Sequence, residues 1–237
     1  CLQAAQRERG TYTLTVPTGG GKTLASLRFA LHHAEKHGME RIIYVIPYTS
    51  IIDQNAQVAR DVLEPAGTKR GSVVLEHHSN LTPEKDSWRN KTLSENWDAP
   101  VIYTTTVQLL EALFAAGTRD VRRLHRLSKA VIVLDEVQAL PIKTFHLFCN
   151  AMNFIVEHCE STVLLCTATQ PLLHEIDKDK GRLRLSQDHE LMPNVKKLFA
   201  DLERVEVVDL RKTEGWSTAE VADLAKKSLA DYGSCLV

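Results

Sequence analysis

Apolar residues follow two spacing patterns along this chain, and segments with one pattern alternate with segments with the other. In three segments nearly every residue is apolar, which is the pattern of a central strand in a parallel sheet: Arg41–Pro47, Ala130–Leu134 and Thr162–Cys166. Leu14 and Val16, set among β-branched threonines, predict another buried strand near the start. Shorter strands are predicted at Ser72–Leu75 and Val101–Tyr103.

Between these strands, apolar residues recur every three or four positions and predict amphipathic helices. Helices are expected at Leu24–His37, Ser50–Leu63 and Val107–Ala116, and a further helical stripe is made by Phe145, Phe148, Met152 and Ile155. The alternation predicts an α/β fold in which a mostly parallel sheet carries helices on both faces. In such a sheet, binding sites lie at the carboxyl ends of the strands.

The last quarter of the chain changes character. Ile176–Asn194 is polar and charged, and it predicts a linker or a surface excursion. A strand at Arg204–Leu210, a helix at Ser217–Leu229 and the start of a strand at Cys235–Val237 are expected next. The predicted organisation is therefore a first domain at 1–176, a linker at 177–201 and the beginning of a second domain at 202–237.

Composition narrows the function only a little. The chain has 29 basic and 30 acidic residues, so its net charge gives no sign of a nucleic-acid partner. Five cysteines without close pairing favour reduced thiols and a cytoplasmic location over a disulfide framework. Neither a signal peptide nor an apolar span of about 18 residues is visible, so no membrane partner is predicted.

A strand that runs straight into three glycines is the strongest chemical signal. Residues 11–23 read T-Y-T-L-T-V-P-T-G-G-G-K-T, and a helix follows. Glycine backbone can curl and point its N–H groups at an anion, and the helix N-terminus faces the same spot. Lys22 then reaches the outer phosphates of a nucleotide, and the Thr23 hydroxyl binds Mg²⁺. The predicted loop consists of Thr18, Gly19, Gly20, Gly21, Lys22 and Thr23.

The loop departs from the usual phosphate-loop pattern at one position. Val16 stands six residues before Lys22, where Gly or Ala is usual. A plain glycine-rich turn is the alternative interpretation. The order of strand, glycines, Lys-Thr and helix favours the phosphate loop.

Two further motifs follow predicted strands of the same sheet. Asp135-Glu136-Val137-Gln138 supplies a carboxylate, Asp135, that suits Mg²⁺, and a second, Glu136, that can accept a proton from an attacking water. In Thr167-Ala168-Thr169-Gln170, the two hydroxyls could bind the acidic motif. Thr169 or Gln170 could instead cap a helix that begins near Pro171, and both interpretations can hold together.

These motifs resemble those of known helicases. V-P-T-G-G-G-K-T, D-E-V-Q and T-A-T-Q resemble motifs I, II and III of superfamily-two helicases. The runs Tyr44–Ala56, Glu76–Asn80 and Tyr103–Thr106, with Gln108, are more specific, and they resemble the DExH helicase–nuclease of type I CRISPR systems, CRISPR-associated protein three. The resemblance covers about Thr11–Leu172.

The resemblance implies a fold, cofactors and partners. The fold is a RecA-like P-loop NTPase domain followed by the truncated start of a second RecA-like domain, and the cofactors are ATP and Mg²⁺. The family adds an HD nuclease domain, acts on single-stranded DNA, is recruited by an RNA-guided CRISPR surveillance complex and works in the prokaryotic cytoplasm. The function implied is that of the ATP-binding half of a helicase that unwinds target DNA in antiviral defence.

The resemblance also assigns roles to individual residues. Gln138 joins Lys22, Asp135 and Glu136 in the catalytic set, because it occupies the position that senses nucleotide across the domain cleft. Thr167 and Thr169 match the motif that couples hydrolysis to movement. The residues expected to touch the backbone of single-stranded DNA are Thr49, Ser50, Thr105 and Thr106.

Several parts of the family pattern are missing or ambiguous. No HD metal-binding constellation is visible, so the nuclease is expected outside this chain, and His77-His78 is interpreted as a family marker at a strand end, not as a metal ligand. The arginine finger of motif VI is also missing, which predicts very poor ATP hydrolysis by this chain alone. The glutamine that reads adenine is Gln3 or Gln6, or it lies upstream.

Two other features have competing interpretations. Arg119–Lys129 is basic enough to follow a nucleic-acid backbone, but its spacing favours a solvated amphipathic helix. Trp88 and Trp97 could stack on bases, although packing is favoured. The alternative functions are a DExH motor acting on RNA or duplex DNA in another pathway, and a P-loop nucleotide switch that is not a motor.

Overall fold

The computed structural model describes residues 1–65, 67, 71–78, 96–115, 117–203 and 208–235. Its strands are β1 (Thr11–Thr15), β2 (Arg41–Ile46), β3 (Val74–His77), β4 (Val101–Thr105), β5 (Ala130–Asp135) and β6 (Thr162–Thr167). Its helices are α1 (Lys22–His37), α2 (Thr49–Leu63), α3 (Thr106–Phe114), α4 (Thr118–Leu124), α5 (Phe145–His158), α6 (Val195–Asp201) and α7 (Thr218–Tyr232).

The strands form one parallel sheet in the order β1-β6-β5-β2-β4-β3. The predicted α/β fold class is therefore confirmed. Because the strands are parallel, all their carboxyl ends lie on one edge of the sheet. β1, β6 and β5 are neighbours, with Thr15 beside Thr167 and Asp135 beside Cys166, so the three predicted motifs meet at that edge.

Helices cover both faces of the sheet, which explains the continuous apolar strands. On β2, Ile42, Tyr44 and Ile46 face a core that includes residues of α1 and α2. The alternate residues Ile43 and Val45 face a second core that includes residues of α3 and α5. Side chains of successive strand residues point to opposite faces, so a strand buried on both faces needs an apolar residue at nearly every position.

The structure corrects the helix that was expected to begin near Pro171. The residues after Thr169 form turns instead. The Leu183 N–H donates to the Leu173 carbonyl at 3.0 Å, and both side chains are buried in the second core. The chain therefore folds back onto the domain here instead of continuing as a helix after β6.

The basic run is also organised differently from the expectation. A stripe formed by Val121, Leu124 and Leu127 would face the core, but Val121 is 50% and Leu124 43% exposed, and only Leu127 is buried. Arg123 takes the inner position, where it donates to Gln108 Oε1 at 2.8 Å and lies over the ring of Trp97. Trp97 packs in the protein interior, where it is fully buried, as the favoured interpretation predicted. Trp88 lies outside the described residues.

The segment predicted as a linker runs along the outer edge of β1. Thr13 donates its N–H to the His189 carbonyl at 2.9 Å and accepts from the Leu191 N–H at 2.8 Å. Leu183 and Leu191 of this segment are buried in the two cores. Residues Cys1–Leu202 accordingly form one compact unit, and the predicted boundary near residue 176 stays a prediction.

Residues Glu203–Val237 form a second unit. Helix α7 begins with a capping box, in which Ser217 and Glu220 bond each other's backbone N–H groups. No residue of α7 is buried. Residues 204–207 and 236–237 lie outside the described residues, so the strands expected on either side of the helix are largely untested. Within the described part of the chain, no helix has the length and apolar character that crossing a bilayer requires.

Candidate nucleotide-binding site

The loop between β1 and α1 has a backbone that only glycine adopts easily. Gly19 and Gly21 both have φ of 79°, in the left-handed region where a Cβ atom is unfavourable. A Cβ at Gly20 would lie 2.6 Å from Val16 Cγ1 and 3.0 Å from the Pro17 carbonyl oxygen. Val16 itself is buried in the first core. The unusual valine is thus accommodated because the residue that faces it has no side chain.

Lys22 opens helix α1 and meets both acidic residues of the second motif. Its Nζ lies 2.8 Å from Asp135 Oδ1 and also contacts Glu136 Oε1. Burial lowers the pKa of Lys22, but its bonds to the two carboxylates outweigh that effect, and the pKa is raised. The ammonium is therefore charged throughout the neutral pH range, at the N-terminus of a helix whose dipole also favours anions.

The two carboxylates have opposite pKa shifts. Burial raises the pKa of Asp135, and Lys22 only partly opposes it. Burial also acts on Glu136, but the hydrogen bonds from Lys22 and Gln138 prevail and lower its pKa. Glu136 has φ of 51°, a conformation that costs a non-glycine residue about 1–3 kcal/mol. This strained backbone conformation accompanies the contact of its side chain with Lys22 across the strand ends.

A chain of hydrogen bonds joins the second motif to the third. Gln138 donates through Nε2 to Glu136 and accepts through Oε1 from the Thr167 hydroxyl at 2.6 Å. The Thr169 N–H in turn donates to Thr167 Oγ1 at 3.2 Å. Thr169 thus enters this chain of bonds through its backbone. Through Gln138, the arrangement links Glu136, which contacts Lys22, to the end of the neighbouring strand β6.

Hard oxygen donors lie where a Mg²⁺ site is expected. The Thr23 hydroxyl is 3.4 Å from Asn55 Oδ1 of α2, and Asp135 is the last residue of β5 at the same edge of the sheet. Carboxylate and hydroxyl oxygens are ligands that Mg²⁺ prefers, so this donor set fits the ion. The role of Asn55 was not apparent in the sequence, because it lies 32 residues beyond Thr23.

An open cleft lies beside the first turns of α1, the helix that follows the phosphate loop. It measures about 610 Å³ and is lined by the first turns of α1 and by the N-terminal residues, namely Cys1, Leu2, Gln3, Leu24, Ala25 and Arg28. Gln3 lines this cleft, whereas Gln6 is absent from its lining. The cleft combines an amide, a guanidinium and apolar side chains, a combination that suits the flat face and polar edge of a nucleobase.

The residues expected to contact DNA lie at the starts of two helices on the same edge. Thr49 and Ser50 begin α2 after β2, while Thr105 and Thr106 join β4 to α3. The Thr105 hydroxyl accepts from the Gln108 N–H at 3.1 Å, so it acts as the helix cap. The Thr105 hydroxyl keeps its own proton, which can donate to a phosphate oxygen, and the assignment of all four residues stays a prediction.

Glu190 holds the end of β1 in place, and no local sequence pattern marks it for this role. Its carboxylate accepts from the Thr13 hydroxyl at 2.9 Å, and from the Thr15 hydroxyl and N–H at 2.6 and 3.2 Å. It also accepts from the Met192 N–H at 2.9 Å. Thr15 is the last residue of β1, immediately before the phosphate loop begins. Glu190 thus fixes the segment 186–192 to the strand that carries the loop.

A parallel sheet with a phosphate loop after β1 and a D-E motif at the end of β5 defines a RecA-like P-loop domain of the helicase type. The chain matches the DEAD/DEAH box helicase family over residues 1–177. It therefore belongs to the DEAD/DEAH box helicase family.

Individual relatives agree with this assignment. The CRISPR-associated nuclease/helicase Cas3 of Haloferax volcanii is 28% identical over 197 residues, which cover 75% of this chain and 21% of that protein. The chain thus spans about a fifth of the length of this curated relative. The crystal structures of T. fusca Cas3-ADP and Cas3-AMPPNP align with TM-scores of 0.59 and 0.56, each at 22% identity, over 71% of this chain and 21% of theirs. The resemblance to the CRISPR-associated helicase family is confirmed, and the structural likeness supports the fold.

Proposed function

We propose that this chain is the ATP-binding half of an ATP-dependent DNA helicase that unwinds target DNA in CRISPR antiviral defence. The observation that carries the proposal is the contact of Lys22 with Asp135 and Glu136, extended through Gln138 to Thr167. A simple nucleotide switch needs the loop and the metal carboxylate. It does not need the further link to Thr167, which suits a motor that converts nucleotide state into movement of a neighbouring strand end.

In the proposed reaction, positioning and charge do most of the work. Loop N–H groups and Lys22 hold the β- and γ-phosphates of ATP. Thr23 and Asp135 would hold Mg²⁺, which neutralises phosphate charge. Glu136 accepts the proton of the attacking water, and its lowered pKa keeps it ionised at neutral pH. Gln138 is bonded to Glu136 and Thr167, so it can transmit a change at the γ-phosphate to β6.

The proposed partners follow from the same class of motor. Single-stranded DNA would cross the carboxyl edge of the sheet near Thr49, Ser50, Thr105 and Thr106. A second RecA-like domain would supply an arginine finger, and such a finger is worth about 10³–10⁵ in rate in related phosphate chemistry. This chain alone would therefore bind ATP but hydrolyse it very poorly. An HD nuclease domain, an RNA-guided surveillance complex and a prokaryotic cytoplasmic setting complete the proposal.

Adenine recognition is assigned to Gln3, and this gives a first prediction. Gln3→Ala is expected to weaken ATP binding about 3- to 10-fold, because it removes hydrogen bonds of ordinary strength from the cleft beside α1. GTP binding should change little. Calorimetric titration of both nucleotides measures the effect, with Gln6→Ala as the matched control. A larger loss of ATP binding in the Gln6 variant would reverse the assignment.

Strand separation tests the proposed function itself. In a protein that joins this chain to a second RecA-like domain, we expect ATP-dependent separation of DNA strands and little or no separation of RNA duplexes. Equal or greater activity on RNA would favour the alternative DExH motor. ATP binding with no unwinding and no nucleic-acid-stimulated hydrolysis on either substrate would favour the nucleotide switch.

A further inference from the structure

Three potential metal ligands converge beside β3, the edge strand on the opposite side of the sheet from β1. Asp53 lies on α2, Glu76 lies on the edge strand β3, and His78 follows that strand directly. One ligand atom from each lies within 4.8 Å of the others, and within the described residues no other trio of this kind occurs. We propose that Asp53, Glu76 and His78 form a binding site for a divalent transition metal, with Zn²⁺ as the best fit.

The spacing of the three groups fits tetrahedral coordination. His78 Nε2 is 3.4 Å from Asp53 Oδ1 and 3.8 Å from Glu76 Oε2. Two ligands on a tetrahedral Zn²⁺, with bonds of about 2.0–2.2 Å, stand roughly 3.3–3.5 Å apart. Octahedral Mg²⁺, with bonds of about 2.0–2.1 Å, would need neighbouring ligands roughly 3 Å apart. The Asp53 and Glu76 oxygens lie within 4.8 Å of each other, so a small movement of these side chains would bring all three groups to the tetrahedral spacing.

Burial of Glu76 provides the second, independent observation. Its side chain is only 6% exposed, and within the described residues its Oε2 accepts no hydrogen bond, with His78 Nε2 standing 3.8 Å away. A buried carboxylate oxygen without a hydrogen bond destabilises the folded state, and a cation bound beside it would offset that loss. The oxygen points toward His78 Nε2, so the same space can serve both groups as ligands.

The other oxygen of Glu76 already has a partner that orients it. Arg60 forms a buried ion pair with Glu76 Oε1, and the Arg60 guanidinium also donates to the Val74 carbonyl at 3.4 Å. Metal-binding carboxylates are commonly held by such outer hydrogen bonds. Arg60 balances one of the two carboxylates, so with a neutral imidazole the trio retains one negative charge for the cation.

The chemistry of the donors selects the metal. An imidazole with two carboxylates suits Zn²⁺ or Mn²⁺ better than the all-oxygen coordination that Mg²⁺ and Ca²⁺ prefer. The Asp53 side chain is 55% exposed, so one side of the site is open and water can supply the fourth ligand. A bound ion would tie α2 to β3, next to the helix start where Thr49 and Ser50 lie.

Zinc titration of the 237-residue chain tests the proposal. Competition with a chromophoric chelator, in excess Mg²⁺ to occupy the nucleotide site, should show one Zn²⁺ bound per chain. Asp53→Asn should weaken that binding by at least about 10- to 100-fold, which is the effect of losing even an outer-shell partner. Asp53 is half-exposed, so this variant should fold normally, and His78→Gln should lose binding as well.

A matched control comes from a histidine–carboxylate pair that no third ligand group joins within the described part of the chain. His32 Nδ1 lies 3.7 Å from Glu35 on α1, and His32→Gln should leave Zn²⁺ affinity unchanged. Co²⁺ should give the intense visible bands of a four-coordinate site in the unaltered chain and lose them in Asp53→Asn. Equal Zn²⁺ affinity in the unaltered chain and Asp53→Asn would overturn the proposal, and so would the absence of saturable binding.

Discussion

Replacement of Lys22 by alanine should abolish ATP-driven unwinding and weaken ATP binding by about 10- to 100-fold or more. Charge-assisted hydrogen bonds contribute about 1.5–3 kcal/mol each, and Lys22 is the loop's own cation for the outer phosphates. The change also leaves Asp135, whose side chain is 17% exposed, without the ammonium 2.8 Å away. Burial already raises the pKa of Asp135, and the loss of Lys22 should raise it further.

A second lysine on the same helix separates this effect from general damage to α1. Lys36 is exposed and contacts the Gln6 carbonyl, far along the helix from the loop. Lys36→Ala should retain ATP binding and unwinding. Nucleotide titration and a strand-separation assay on both variants provide the measurement. Unwinding by Lys22→Ala at a rate near that of the unaltered protein would show that this loop does not hold the phosphates.

Substitution of Glu136 by glutamine should slow ATP turnover by about 10²- to 10⁴-fold, the usual contribution of a general base. Nucleotide affinity should change by only a few-fold, because the amide keeps the shape of the side chain and Lys22 keeps Asp135 as a partner. The measurement needs a protein with measurable turnover, in which this chain is joined to a second RecA-like domain. Glu35→Gln, on an exposed part of α1, is the control.

The pH dependence of that turnover follows from the shift at Glu136. Lys22 and Gln138 overcome burial and hold its pKa below the usual range for glutamate. A depressed pKa means that the base stays ionised, and its ion pair stays intact, until the pH falls through that lower value. Loss of nucleotide binding in Glu136→Gln, rather than loss of turnover, would make Glu136 a ligand of the nucleotide complex and exchange its role with that of Asp135.

The sequence determined most of the fold because the relevant signals are local. A run of apolar residues indicates a strand that is buried on both faces, and apolar residues three to four positions apart indicate a helix that is buried on one face. Neither signal depends on distant parts of the chain. The phosphate loop was readable for the same reason, since it needs consecutive glycines followed by Lys22 and Thr23 within a single turn of chain. The D-E motif was readable once a second apolar strand was seen to precede it.

Tertiary structure decided which distant side chains meet. Nothing local marks Glu190 as the partner of Thr15, because 175 positions separate them and only the path along the edge of β1 joins them. Spacing predicted a solvated amphipathic helix within Arg119–Lys129, whereas Gln108 and Trp97 provide Arg123 of this run with buried partners.

The metal-binding role proposed for His78 also depends on residues that only the tertiary structure brings together. In the sequence, His78 belongs to no metal-binding motif, because a sequence reveals only ligands that are regularly spaced within one segment. Parallel strands bring α2 and β3 side by side, and Asp53 and Glu76 then stand next to the ring. Local patterns determined which residues form strands, helices and the phosphate loop, while the strand order β1-β6-β5-β2-β4-β3 and the paths of the connecting segments determined which charged groups became neighbours.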